Sequence, residues 1–202
     1  MEISINKTFI FTLLAGSTLI LSCGRTATSS EKTNFTHADS LTETFLTFQD
    51  TLLHSWNRLA KEEHEKLDAL EKALHGLIRL SAAEPTQITS LHNRLDQLKQ
   101  IHITQKTLSN PYVVEEYDFA STSLISEVLS LMETNPTIIS DQDLVDLIDA
   151  IKLTDQQIGE YRISYDSIAT AFNSFIEKNR PFLKDADHNN LEKRPIFNVA
   201  AK

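Results

Sequence analysis

Cys23, the one cysteine of the chain, stands in a setting that points to a chemical modification of its thiol. It follows the apolar run 8–21 and the small residue Ser22. A thiol that is to form a thioether with diacylglycerol must lie at the membrane surface. It also needs a small residue in front of it, so that a peptidase can close on the backbone. The types and spacing of these residues therefore predict lipid attachment at Cys23.

The segment that precedes Cys23 is similar to the signal peptide of bacterial lipoproteins, and Leu19 to Cys23 resembles their lipobox. The alternative is a membrane-spanning helix, which needs about 20 apolar residues, whereas the run 8–21 is shorter. The order of a charged, an apolar and a small-residue region is also that of a signal peptide. The resemblance implies that residues 1–22 are removed and that two or three acyl chains anchor the mature chain.

A lipid anchor places the protein in the bacterial cell envelope. Gly24, which follows the cysteine where an aspartate could stand, favours the outer membrane, with the protein on its periplasmic or surface face. Nucleic acid is excluded as a partner by charge. The net charge is -9, and the basic residues are interleaved with acidic ones, whereas phosphate contacts need clustered Lys and Arg. We therefore expect the membrane and an envelope protein as partners.

The other residues that could do chemistry form no known catalytic or metal-binding pattern. The sequence has no Glu-x-x-His pair for a di-metal bundle and no Gly-x-Ser-x-Gly motif. We therefore expect no enzyme, no cofactor and no metal ion. Two alternatives stay open. His64 and His75 share a helix face with Asp68 between them and could form a metal- or ligand-sensing site. An envelope enzyme could also use residues that meet only in the folded chain.

The composition favours helices, because glycine is scarce and good helix formers are abundant. The prolines fall at the ends of segments whose apolar residues are spaced three and four apart, which places them on one helix face. We predict four helices. They begin at Ser40, at Pro85, after Pro111 and near Ser140, and the second and fourth end at Leu108 and about Asn179.

The stripes repeat every seven residues and predict an all-α protein, an elongated antiparallel four-helix bundle with coiled-coil-like packing. Ser40 and Glu43 form a capping box at the first helix, and Ser140 with Asp143 forms a cap-like pair at the fourth. The predicted organisation is a signal peptide at 1–22, a flexible tether at 23–39, the bundle at 40–182 and a loosely held C-terminal tail at 183–202.

Asp155 interrupts the apolar stripe of the fourth predicted helix. A carboxylate that points into a bundle must find a hydrogen-bond donor, because burying it alone is unfavourable. One interpretation is a polar core layer of Asp155, Arg162 and Tyr165 that fixes the helix register or binds a partner. The other interpretation is that the stripe turns around the helix and Asp155 reaches solvent.

Several motifs in the second half of the chain share their order and spacing with one family. They are Glu133-Thr-Asn-Pro136, Thr154-Asp155-Gln-Gln-Ile158, Arg162-Ile-Ser-Tyr165-Asp166 and Phe172-Asn173, followed by Pro181 and Pro195-Ile196-Phe197. On these motifs the chain resembles the LemA family of membrane-anchored helical proteins of the bacterial envelope. In the first helix Trp56, Leu59 and Lys66 fit, whereas Glu65 and Glu71 depart from the pattern. The resemblance implies an antiparallel helical domain outside the cytoplasmic membrane, of a kind with no established enzymatic activity. We therefore expect a lipid-anchored scaffold or binding protein.

Overall fold

The structure is a computed structural model that describes residues 36–81, 83–183 and 191–197. In that part of the chain every regular element is helical and no strand occurs, so the predicted all-α class is confirmed. The elements are α1 (His37–Arg79), α2 (Pro85–Gln100), a 3-10 turn (Thr107–Ser109), α3 (Pro111–Glu133), α4 (Pro136–Ile139) and α5 (Gln142–Asn179). None of the helices described is long and apolar enough to cross a bilayer. The predicted lipidation site Cys23 lies outside the described residues.

The first helix begins earlier than the sequence predicts. Thr36 is its N-cap, and the Thr36 hydroxyl accepts a hydrogen bond from the Asp39 amide at 3.2 Å while the Asp39 carboxylate accepts one from the Thr36 amide at 2.8 Å. The predicted capping box of Ser40 and Glu43 is therefore wrong. The same hydroxyl-x-x-carboxylate pattern occurs one turn earlier, and the pattern alone does not decide which copy caps the helix. Residues 37–39 of the predicted tether are helical.

The last long helix is also capped by a different residue. The Asp141 carboxylate accepts a hydrogen bond from the Leu144 amide at 3.3 Å, so the predicted Ser140–Asp143 pair is not the cap. Before it, Asn135 accepts from the Thr137 amide at 2.9 Å and starts the short α4. A carboxylate or amide at the N-cap satisfies a backbone amide that has no partner within the helix.

The second helix ends at Gln100, so the predicted extension to Leu108 is wrong. The following Ile-His-Ile-Thr stretch is rich in β-branched residues, which lower helix propensity. The Thr107 hydroxyl accepts from the Thr104 amide at 2.7 Å, and the Thr104 hydroxyl accepts from the Thr107 amide at 3.2 Å. These local bonds compete with the helical ones. As a result His102 lies on an irregular segment that bends away from α2.

The buried residues form two clusters along the antiparallel pair α1 and α5. The four-helix core, which joins the four long helices α1, α2, α3 and α5 and includes one residue of the short α4, is built mostly of aliphatic side chains. Its buried members are Leu70, Ala73, Leu74 and Leu77 of α1, Ile88, Leu91, Leu95 and Leu98 of α2, Tyr117, Leu124, Ile125, Val128 and Met132 of α3, Ile138 of α4, and Leu144, Ile148 and Ile151 of α5. The two-helix core consists of Leu41, Phe45 and Leu52 of α1 with Tyr165, Ala169, Phe172 and Ile176 of α5, completed by Leu108, Val114, Leu183 and Leu191.

Candidate functional site: a polar layer and the cavity beside it

Charged side chains replace apolar ones where the two cores meet. On α1, residues 59, 63, 66 and 70 continue the three-and-four spacing of the core, and the middle two are Glu63 and Lys66. On α5 the matching positions between Ile158 and Tyr165 include Arg162. Core spacing places these charges in the interior by register, which explains why the Lys66 side chain is only 3% exposed.

Glu63 is the centre of this polar layer. One of its carboxylate oxygens accepts from Lys66 Nζ at 3.0 Å and from the Tyr117 hydroxyl at 2.8 Å. The other accepts from Arg162 Nη2 at 2.9 Å. Arg162 Nη1 donates to both oxygens of Asp118, at 2.8 and 2.9 Å. Buried charges are tolerated when they are paired and hydrogen-bonded, and this network meets both conditions.

The network fixes the protonation states of its members. Burial works against ionisation of Glu63, but the charges of Lys66 and Arg162 outweigh it and hold the pKa of Glu63 below its ordinary value. Burial, together with the negative charge of Glu63, raises the pKa of Tyr117 far above its usual range. Burial also opposes the charge on Arg162, yet Asp118 and Glu63 raise its pKa overall. Glu63 is therefore an acceptor and Tyr117 a donor at neutral pH.

The structure distributes the three residues of the predicted layer over different environments. Arg162 lies in the layer, with its side chain 12% exposed. Asp155 lies at the edge, 51% exposed, and accepts from Lys66 Nζ at 3.4 Å. Tyr165 is fully buried in the two-helix core with an edge-on contact to Trp56, and its hydroxyl has no hydrogen-bond partner among the described residues. Burial raises the pKa of Tyr165 to about 12.

Sequence reasoning missed Glu63, Lys66, Tyr117 and Asp118. A signal for the first two was present, because the apolar stripe of α1 passes from Leu59 to Leu67 without an apolar residue at 63 or 66. Two charges of opposite sign at i and i+3 on a core face would have identified a buried pair. Nothing local marks Tyr117 or Asp118, since they join the layer only through the packing of α3.

A cavity of about 570 Å³ opens beside the layer. Its inner wall contains Leu59, Glu63, Tyr117 and Arg162, and its outer wall comes from the segment after α2 and from the C-terminal segment. The lining residues are Trp56, Leu59, Ala60, Glu63, His64, Leu67 and Asp68 of α1, Lys99, Ile101, His102, Ile103 and Thr104, with Tyr117, Arg162 and Phe197. Residues 101–104, which follow the end of α2, contribute four of the lining side chains. No pattern in the sequence indicates such a cavity.

The segment 191–197 contributes Phe197 to the cavity lining and is held by side chains of α5. Asn173 donates to the Arg194 carbonyl at 2.8 Å and accepts from the Arg194 amide at 2.7 Å. Asp166 accepts from the Phe197 amide at 2.7 Å. The expectation of a loosely held tail is therefore wrong for this segment. Side-chain bonds to a distant backbone leave no periodic pattern in the sequence.

Phe197 is the residue that connects this segment to the layer. Its ring stacks on Trp56 with centroids 6.2 Å apart and an angle of 13° between the planes. The Arg162 guanidinium lies 5.0 Å from the Phe197 centroid, and Tyr165 meets the ring edge-on at 5.9 Å. A cation above an aromatic face is attracted by the ring, so Phe197 also helps to hold Arg162 in place.

The histidines of the proposed sensing face have different neighbours. His64 lies 3.6 Å from Asp68 at the rim of the cavity, whereas the His75 ring lies 5.5 Å from that of His92 on α2. Within the described ranges no three His, Cys, Asp or Glu side chains are arranged to hold a metal ion. The structure does not bring His64 and His75 into one site.

Comparisons of the chain with protein-family models, with curated proteins and with solved structures find no match.

Proposed function

We propose that this protein is a non-enzymatic, lipid-anchored helical scaffold or binding protein of the bacterial cell envelope, of the LemA type. The observation that carries the proposal is the lipobox-like stretch that ends at Cys23. In sequence, Cys23 precedes a helical domain whose N-cap is Thr36. The three-and-four spacing of buried residues along α1 and α5 supports an elongated, coiled-coil-like antiparallel four-helix bundle.

The polar layer supports a binding protein over an enzyme. A general base needs a spare acceptor site and a pKa near the working pH. Both oxygens of Glu63 are already bonded and its pKa is lowered, while that of Tyr117 is raised. Thr104, the aliphatic hydroxyl in the cavity wall, is bonded to Thr107. These groups stabilise one another and have no capacity left for proton transfer.

Metabolic labelling with radioactive palmitate tests the anchor. We expect label in the wild-type protein and in Ser22→Ala, which keeps a small residue before the cysteine. We expect none in Cys23→Ala, because the acceptor thiol is gone. Label in Cys23→Ala at the wild-type level would contradict lipid attachment at this residue.

Photocrosslinking in intact cells tests the partner. Leu46 and Leu53 are one heptad apart on α1 and are 52% and 57% exposed. A photoreactive residue at either position should trap the same envelope protein, whereas one at the exposed Lys72 should not. Trapping of the same protein from all three positions, or of none from any, would contradict a scaffold that uses this face.

The cavity favours a second candidate function, a ligand-sensing bundle. Sites for small molecules are concave, mostly apolar and carry a few polar groups that converge on the ligand. The cavity has this composition and lies within the usual range of volumes, and it borders the layer that joins the two cores. Saturable binding of a small molecule to the purified protein would support this candidate.

A further inference from the structure

The cavity wall is mainly apolar. Trp56, Leu67 and Phe197 contribute large side chains, and Ile101 and Ile103 of the segment after α2 lie opposite. Leu59 at the base is 3% exposed, so the base is packed into the protein interior. Burying apolar surface against such a wall is favourable in proportion to the area removed from water. A ligand for this cavity therefore needs an apolar body.

The polar groups of the cavity have unused donors. Glu63 already accepts three hydrogen bonds or ion pairs and offers little to a ligand. Lys99 Nζ donates to Glu71 at 2.9 Å, which leaves two of its three donor positions. The His102 side chain has no hydrogen-bond or ion-pair partner among the described residues, and Arg162 Nε is buried without one there. Asp68, the remaining acid of the wall, lies beside His64.

These observations specify an acceptor head group. The two spare N–H donors of Lys99 and one N–H of His102 suit a carboxylate or phosphate, and the positive charge of Lys99 repels an ammonium group. The two residues are three apart in sequence and lie on the same side of the cavity, where α2 ends. Charged hydrogen bonds of this kind are about twice as strong as neutral ones.

We propose that the cavity binds a single-chain anionic amphiphile, with its acyl chain against Trp56, Leu67 and Phe197 and its acidic head at Lys99 and His102. This inference rests on the ligand-binding candidate function and is independent of the lipid anchor. The shared chemistry fits either a free fatty acid or a lysophospholipid. Phe197 forms part of the site, so the C-terminal segment 191–197 stabilises the bound chain.

The only tryptophan of the protein, Trp56, lines the cavity and serves as the reporter. The experiment titrates the predicted mature chain, residues 23–202 with Cys23→Ala, in detergent-free buffer and below the micellar concentration of each probe. The probes are dodecanoate, lauroyl lysophosphatidylglycerol, dodecanol and dodecylamine. We expect a saturable change in Trp56 emission with one or both anionic probes, and at least tenfold weaker binding of dodecylamine. The tighter of the two anionic probes identifies the source of the ligand.

Variants locate the site. Lys99→Gln should weaken binding of the anionic probe about tenfold, and Lys72→Gln, which removes an exposed charge outside the cavity, should leave it within twofold. Ala60→Phe should fill the cavity and abolish binding, whereas Ala150→Phe at an exposed position of α5 should not. Melting curves establish that each variant is folded.

Three outcomes would overturn the proposal. They are no saturable change with any anionic probe, equal affinity for dodecylamine, and undiminished binding by folded Ala60→Phe. Each would leave palmitate labelling of Cys23 and crosslinking from α1 unaffected, so failure of the amphiphile site is distinguishable from failure of the scaffold proposal.

Discussion

The two cores along α1 and α5 are built differently. The four-helix core draws its buried side chains from helices α1 to α5, and Leu, Ile and Val fill most of it. The two-helix core is built mainly by α1 and α5, with Val114 from the start of α3, and relies on aromatic rings, such as Phe45 and Phe172 with centroids 5.8 Å apart. Two helices alone bury little surface, so the second core needs large side chains and the cover provided by Leu108 and the segment 191–197.

This difference explains the position of the candidate site. Where α2 ends, the side chains on α1 and α5 lose this helix as a neighbour. At this level α3 still contributes Tyr117 and Asp118, and the segment 191–197 contributes Phe197. Glu63, Lys66 and Arg162 occupy core positions there and pair with one another. The cavity lies at the same level. The boundary between two packing modes is therefore where the chain has both buried charge and open space.

The largest expected effect is that of breaking the layer. Glu63→Ala should lower the free energy of unfolding by about 3–5 kcal/mol, because it leaves Lys66 and Arg162 buried without their shared partner. Urea denaturation measures the change. Glu62→Ala, at the neighbouring position outside the layer, should change stability by about 0.5 kcal/mol or less. Equal losses in the two variants would mean that the layer does not join the cores.

A smaller effect, confined to one core, is expected for Asn173→Ala. The substitution removes both hydrogen bonds to the Arg194 backbone and should lower stability by about 1–3 kcal/mol. Hydrogen exchange should speed up in the first half of α1 and the last half of α5, with the four-helix core protected as before. The matched control is the exposed neighbour Ser174→Ala. Uniformly faster exchange throughout the chain would show that the two cores do not respond separately.

The same contrast shows how far sequence reasoning reaches. Leucine stripes and prolines predict the helices of the four-helix core, because each helix buries a continuous face whatever its partner. The N-caps Thr36 and Asp141 lie within a few residues of the predicted caps Ser40 and Ser140. The sequence does not decide between them, since several polar residues nearby have cap-forming side chains. Tyr117 and Asp118 reach the site from α3, and Phe197 reaches it from the segment 191–197. Their roles depend on tertiary contacts that no local spacing encodes.

Acid should lower the free energy of unfolding less than Glu63→Ala does, because protonation leaves the side-chain atoms of Glu63 in place. The pKa of Glu63 in the folded protein is lowered from its ordinary value of 4.5, since Lys66 and Arg162 outweigh the effect of burial. Its stabilising contribution is therefore fully present above pH 4.5 and is lost as the pH falls through the folded value. The measurement is the unfolding free energy between pH 7 and pH 3.

Glu63→Gln is the matched variant for this titration. It has no carboxyl group at position 63, so its stability should fall less steeply with acid than that of the wild type over the same range. If the unfolding free energy fell equally steeply with pH in the two proteins, the ion pairs of Glu63 would not contribute to stability.

The smallest effects should come from the two glycines in the helices that the structure describes, and they should have opposite signs. A Cβ at Gly76 would lie 2.3 Å from the Leu144 side chain, which is 2% exposed in the four-helix core and has little room to move. Gly76→Ala should therefore lower stability by about 1 kcal/mol, since overpacking outweighs the gain in helix propensity.

At Gly159, beside the polar layer, a Cβ meets nothing within 4 Å. Gly159→Ala should raise stability by about 0.5–1 kcal/mol, because only the propensity gain remains. Thermal melts of the two variants compare tight packing in the four-helix core directly with open space at the layer. A stabilised Gly76→Ala would mean that α1 and α5 can separate at Leu144 without loss, and the four-helix core would then be no more closely packed than the boundary next to it.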